Sequence, residues 1–289
     1  MDAAVRVTFV ADALAAAVAR LDAAGVPEPR ADAEVLLAAA LDTTRAGAIA
    51  SAWRPIAADA AARLDALVAR RATREPLAYV LGEWEFWSLP LVVDRRVLVP
   101  RPETEHVVET ALAVAPGARR IVDVGTGSGA LAVALARELP AARVVALDRD
   151  ADALAVAREN AARHAPDVAL VQGDLLAPIA RGRVDLVVAN PPYCATAEIA
   201  GLEPEVRDWE PRAALAAGPD GLDVLRALVP QAAGVLAPGG WLVVEVGQGQ
   251  AERVRACLAR DGRLAETRTV RDHAGIERVV AARRTGEGR

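Results

Sequence analysis

From residue 103 onward, short apolar runs alternate with alanine-rich stretches of helical character, and few folds accept that pattern. Strand-like runs lie at 119–124, 143–148, 167–172, 184–190, 241–247, about 264–271 and 277–283. Helical stretches fall near 103–115, 129–139, 150–164, 221–236 and 249–260. This alternation predicts an α/β fold: a doubly wound, mostly parallel seven-stranded sheet with helices on both faces. Open sheets of this kind bind ligands outside the carboxyl ends of their strands. The residues that end each strand are therefore where chemistry is expected.

Three successive strand ends carry an acid. Ile121-Val122-Asp123-Val124 runs into Gly125-Thr126-Gly127-Ser128-Gly129, after which Ala130–Leu135 opens a helix. Glycines there let the backbone turn tightly and approach a ligand. The spacing is not the GxGxxG expected of a dinucleotide enzyme, and Asp123 precedes it. Together these favour a ligand bearing a cationic amine over one bearing a pyrophosphate. Asp148 ends the next strand and can accept both ribose hydroxyls of a nucleoside. Asp174 follows the third strand, where an adenine amino group is expected, and the backbone of Leu175 offers a neighbouring amide. Each acid alone reads equally well as a helix cap; in series they point to a nucleoside.

After the fourth strand stands Asn190-Pro191-Pro192-Tyr193. An amide nitrogen is a poor nucleophile because its lone pair is delocalised. A site that methylates a planar NH₂ group must orient it toward the methyl donor. The Asn190 side-chain carbonyl can accept one N–H and the Pro191 backbone carbonyl the other. Proline fixes its own backbone angle and removes a competing donor, and Tyr193 offers an apolar face. The rate then comes from orientation and preorganised dipoles. Cys194 follows directly, but none of the three histidines neighbours it, and it reads as structural.

The rest of the chain frames this site. Leu14, Val18 and Leu21, then Leu36, Leu37 and Leu41, then Leu64, Leu67 and Val68 mark the stripes of a small helical bundle. Four of the nine aromatics cluster at Tyr79, Trp84, Phe86 and Trp87. Leu91–Val93 and Val97–Val99 flank Asp94-Arg95-Arg96, a pattern that predicts a β-hairpin anchored by those aromatics. Expected domains are a helical substrate-recognition domain at 1–75, a β-hairpin linker at 76–102, the α/β domain at 103–284 and a frayed tail at 285–289. Residues 195–220 hold three prolines and few regular signals, as a lid or partner surface would.

Composition excludes several classes. Two cysteines are too few for a disulfide framework or a zinc site and suit a reducing cytoplasm, and no metal ligand set is expected. No apolar stretch is long enough to span a membrane. All 34 basic side chains are arginines, yet the net charge is −5, a poor match to a phosphate-backbone binder.

The chain resembles the bacterial-type methyltransferases that modify the glutamine side-chain amide of peptide chain release factors. The likeness runs from about residue 70 to 280. It rests on Arg74–Gly82, Phe86-Trp87, Val99-Pro100-Arg101-Pro102-Glu103-Thr104-Glu105, Asp123–Gly129, Asn190–Tyr193, Glu203–Val206, Gly218–Leu222 and Ala274-Gly275-Ile276. The resemblance implies a Rossmann-like class I methyltransferase domain acting as a monomer. It implies S-adenosylmethionine as cofactor, with S-adenosylhomocysteine as product, and the GGQ-loop glutamine of a release factor as substrate. Gly125, Thr126, Gly127, Ser128 and Gly129 would contact the methionine portion, Asp148 the ribose, and Asp174 with Leu175 the adenine. Asn190 would touch both cofactor and glutamine, with Pro191, Pro192 and Tyr193 completing the pocket. Some members carry an aromatic at the position of Leu175, so adenine packing here would be aliphatic. The tetrapeptide is shared with enzymes that methylate exocyclic base amines, but no basic target-recognition insert is evident. A sister class methylates a ribosomal-protein glutamine and lacks the Pro-Arg-Pro-Glu-Thr-Glu stretch.

Overall fold

The computed structural model describes residues 8–286, so positions 287–289 of the expected tail lie outside the described residues. Thr285 still bonds Arg263 through its amide and its hydroxyl.

The chain divides into two compact units. Of the described residues, one unit comprises 8–82 together with Glu203–Trp209. Its helices are α1 (Val10–Ala23), α2 (Pro29–Ala40), α3 (Arg45–Ala50), α4 (Ala58–Ala72) and α5 (Leu77–Leu81). The leucine stripes face inward: Leu21, Leu36, Leu37, Leu64 and Val68 are buried, with Leu14, Val18, Leu41 and Leu67 packed on them. Arg71 links the two stretches of this unit. Its guanidinium lies 2.7 Å from Asp32 and 2.9 Å from Glu205, and Arg74 reaches the same Glu205 at 2.6 Å.

The second unit begins with a hairpin of β1 (Glu83–Phe86) and β2 (Leu89–Val92). It continues with α6 (Glu105–Val114), β3 (Arg120–Val124), α7 (Ala130–Glu138), β4 (Arg143–Asp148), α8 (Ala151–His164), β5 (Ala169–Gln172) and β6 (Val184–Ala189). Of the next two short helices, α9 (Pro204–Arg207) belongs to the helical unit and α10 (Arg212–Leu215) to this one. It ends with α11 (Asp223–Val235), β7 (Leu236–Glu245), α12 (Ala251–Asp261), β8 (Leu264–Arg271) and β9 (Glu277–Arg284). The sheet order is β5-β4-β3-β6-β7-β9-β8, with β9 antiparallel to both its neighbours and the other pairings parallel. The doubly wound, seven-stranded expectation is met. The chain steps outward from β3 to β5, then returns to the other side of β3, and this reversal opens a crevice at the carboxyl ends.

Side chains alternate across the sheet with the period of two that strands impose. Ile121, Leu186, Val188, Trp241 and Val243 join the core layer that contains residues of α6, α7 and α8. Val122, Val124, Val187, Leu242 and Val244 join the layer of α11 and α12. By that period Asp123 and Glu245 both face the α6–α7 side.

Two local readings change. The hairpin turns at Trp87-Ser88, both in the left-handed region at φ 53° and 57°. Asp94 instead accepts from the Arg96 amide and chelates its guanidinium, closing a turn with no ladder beyond it. Phe86 is buried and the Trp87 indole donates to Glu138, so these aromatics do anchor the hairpin. Strand β7 starts five residues earlier than expected, at Leu236, because Pro238-Gly239-Gly240 passes through an irregularity in the β6–β7 register instead of turning.

Candidate active site

Beneath the carboxyl ends of β3, β4, β5 and β6 lies a cavity of ≈ 390 Å³, within the usual size of small-molecule sites. Asp123, Gly125, Thr126, Gly127, Ser128, Asp148, Asp174, Leu175, Asn190, Pro191 and Pro192 all line it. Of the expected site residues, Gly129 and Tyr193 do not.

The glycine turn shapes one wall. Gly125 and Gly127 have φ of 69° and 55°, and a Cβ on either would project into open space. Any side chain there would be strained and would also occupy room that a ligand can use. Gly129 serves packing: a Cβ there would lie 3.4 Å from Ala157 of α8.

Asp123 is 1% exposed. Its Oδ2 accepts from the Thr126 hydroxyl at 2.5 Å and from the Ala132 amide at 3.1 Å. Oδ1 has no partner and, among the described residues, is the lone buried side-chain polar atom in that position. Burial pushes the carboxyl up to about 7, and the nearby charge of Asp148 adds to the shift. An orphaned buried acceptor of this kind calls for a partner. Asp148 takes one N–H on each oxygen, from Gly127 and from Asp150, at 3.0 Å each. A carboxylate oxygen has two acceptor sites, so one stays open on each. Asp174 is exposed at the far end, and Leu175 beside it has φ 48°, a strained angle for leucine.

The opposite wall is built from side chains. The Asn190 Nδ2 donates to the Thr104 hydroxyl at 3.0 Å, and Thr104 donates to Glu245 at 2.6 Å. Glu245 is 1% exposed, and burial pushes it up to about 7, opposed by Thr104 and by Arg278. With Nδ2 engaged, Asn190 Oδ1 remains as an acceptor. Pro191 is buried in the cavity wall. Tyr193 turns away from the cavity toward Glu245, and burial raises its phenol. Room for it comes from Gly247, where a Cβ would lie 3.1 Å from its ring. Gln250 bonds both the Tyr193 carbonyl and the Gly247 amide.

Thr104 and Glu245 join the site from outside the strand-end residues to which the sequence points. Glu245 carried a usable signal: an acid ending the apolar run Trp241–Val244, as Asp123 interrupts Ile121–Val124. Arg101, from the same stretch as Thr104, pairs with the buried Glu210 at 2.6 Å. The 195–220 segment is more regular than expected. Cys194 and Thr196 bond back to Leu215, Ala217 and Gly218.

The sequence matches the PrmC N-terminal domain over residues 12–82 and the methyltransferase small domain over residues 104–202. The release factor glutamine methyltransferase of Geobacter sulfurreducens is 48% identical over 259 residues, covering 90% of this chain and 91% of its own length. That of Moorella thermoacetica is 46% identical over 279 residues, covering 95% and 98%. Among solved structures, the hMettl16 catalytic domain in complex with MAT2A 3'UTR hairpin 1 matches with a TM-score of 0.56 at 16% identity. It covers 75% of this chain and 80% of that one, a likeness of fold alone.

Proposed function

The chain belongs to the release factor glutamine methyltransferases, and on that premise we propose how its cavity divides the work between a methyl donor and the glutamine of the GGQ motif. The observation that carries the reading is the Asn190 carboxamide in the cavity wall, its nitrogen engaged and its oxygen open.

S-adenosylmethionine fits the β3–β5 side. The unpartnered Asp123 Oδ1 suits a cationic amine, the bare faces of Gly125 and Gly127 suit close backbone approach, and Asp148 keeps acceptor sites for ribose hydroxyls. Thr126 and Ser128 complete the turn, and Asp174 with Leu175 borders the adenine end. When bound, this cofactor supplies an electrophilic methyl group carried on sulfur. The protein's own residues then orient the acceptor. Asn190 Oδ1 and the Pro191 carbonyl each accept one N–H of the glutamine amide. Both N–H bonds are thereby directed into the wall, and the face of the nitrogen is left toward the donor. Pro192 borders this pocket, and Tyr193 supports it from behind.

The helical unit supplies a second contact with the release factor. It presents Trp53, 84% exposed, and Ile49 one helical turn before it. Trp53→Ala is expected to raise the Michaelis constant for whole factor and leave that for a short GGQ peptide unchanged.

The direct test is mass spectrometry of an unmethylated release factor after incubation with this protein and S-adenosylmethionine. A gain of one methyl on the GGQ glutamine is expected, and none on a factor with that glutamine replaced. Methylation elsewhere, or none with the cofactor bound, would overturn the reading.

A further inference from the structure

We infer that Thr104 and Glu245 are positioning residues, a hydrogen-bond relay that sets which end of the Asn190 carboxamide meets the substrate; the inference rests on the amide methylation proposed above. An asparagine amide is nearly symmetric in shape and opposite in polarity at its two ends. Turned one way it accepts from a glutamine NH₂. Turned the other way it presents its own NH₂ to that group and repels it. Something must choose, and Asn190 does not choose alone.

The choice is made by counting protons. A threonine hydroxyl has one. At 2.6 Å the Thr104 proton is committed to the Glu245 carboxylate, a strong charge-assisted acceptor. Toward Asn190, 3.0 Å away, the Thr104 oxygen can then only accept. It therefore selects Nδ2 and leaves Oδ1 for the substrate. A neutral Glu245 removes the bias. Its own O–H can donate to Thr104, the threonine proton is freed to donate to Asn190 Oδ1, and the amide turns its Nδ2 to the glutamine. One proton gained from solvent at Glu245 thus frees the whole chain of bonds to reverse its polarity.

Glu245 ends β7, and other elements bring charged and titratable groups to it. Glu103, from the turn before α6, disfavours its charge, while Arg278 of β9 favours it, and Tyr193 after β6 adds a hydrogen-bonding phenol. Burial outweighs the favourable partners and brings the carboxyl up to about 7. Asp123, across the cavity, is raised to about the same value. A pH profile of the wild type alone would not tell the two acids apart, so the test must cut the relay itself.

The first readout needs no turnover. In the ligand-free full chain, the Asn190 side-chain amide signal in a proton–nitrogen NMR spectrum should move with pH, with a midpoint near 7. Thr104→Val, which keeps the shape and removes the hydroxyl, should abolish that movement, and so should Glu245→Gln. The second readout is steady-state methylation of whole release factor. Wild-type kcat should rise as pH increases through about 7, the direction expected when the carboxylate is the working form. Thr104→Val should lower kcat by about 10- to 100-fold, the scale of one charge-coupled hydrogen bond, and change KM for the factor by less than about threefold. Thr104→Ser should recover most of the loss, and Glu245→Gln should flatten the pH dependence. An Asn190 signal that still titrates in Thr104→Val, or a Thr104→Val kcat within about twofold of wild type, would overturn the relay. Absence of transfer by the wild type would refute the methylation reading, while the NMR titration would still decide the relay.

Discussion

On the β3–β5 side of the cavity the polar work is done by backbone and by acids with spare capacity. Gly127 and Asp150 give N–H groups to Asp148, and Asp123 holds one oxygen with no partner at all. On the β6 and β7 side, Asn190, Thr104 and Glu245 spend their hydrogen bonds on one another and leave one acceptor over. The first arrangement has spare acceptor sites, which on the proposed reading would receive the cofactor. The second is internally satisfied and, on the same reading, would orient the substrate. Preorganised dipoles of the second kind act on rate, because they lose nothing to reorganisation when the reaction occurs. Changes on the two sides should therefore separate into effects on affinity and effects on turnover.

The sharpest way to break that division is Asn190→Ala. It should lower kcat by about 10²–10³-fold, the usual scale for deleting one preorganised polar group, while cofactor Kd by calorimetry changes far less. Equal losses in both would erase the distinction. Next is Gly127→Val, which forces a branched residue to φ 55° and fills ligand space; cofactor affinity should fall about 100-fold, with kcat at saturation much less affected. Asp148→Asn removes a charge and keeps the shape, so about tenfold in cofactor Kd is expected. The smallest effect is also the most specific. Burial raises the Asp123 carboxyl to about 7, into the neutral range, and a cation placed against it lowers its pKa. Cofactor binding near neutral pH should therefore release a fraction of a proton, read from binding heats in buffers of different ionisation enthalpy. Asp123→Asn should abolish the release.

The acids and the amide at strand ends were legible because a strand end is a local signal. An apolar run stops, a polar residue follows, and the period of two says which way it faces. Thr104 and Glu245 lie 141 residues apart, and nothing in either neighbourhood announces the other. Their meeting depends on which strand β7 pairs with, a fact of topology. The hairpin misled for the opposite reason. Its tight turn uses Trp87 and Ser88 in conformations normally advertised by Asn-Gly, while the more turn-like Asp94-Arg95-Arg96 leads into no strand. Adjacency groups Tyr193 with its neighbours, but the backbone after the two prolines carries its ring out of the wall, into the space beside Gly247.

The helical unit is written in two instalments. Arg71, its side chain 6% exposed, and Arg74 close on Glu205, and 131 residues separate Arg74 from that partner. During synthesis the first helices emerge early, but they carry one buried and one half-buried arginine whose shared carboxylate is still to come. A truncation that removes those helices leaves Glu205 behind with neither cation, and a fragment ending at Gly82 keeps the arginines without it. For the genetic engineer, then, this unit has no clean cut site: it can be altered one side chain at a time, but it cannot be lifted off.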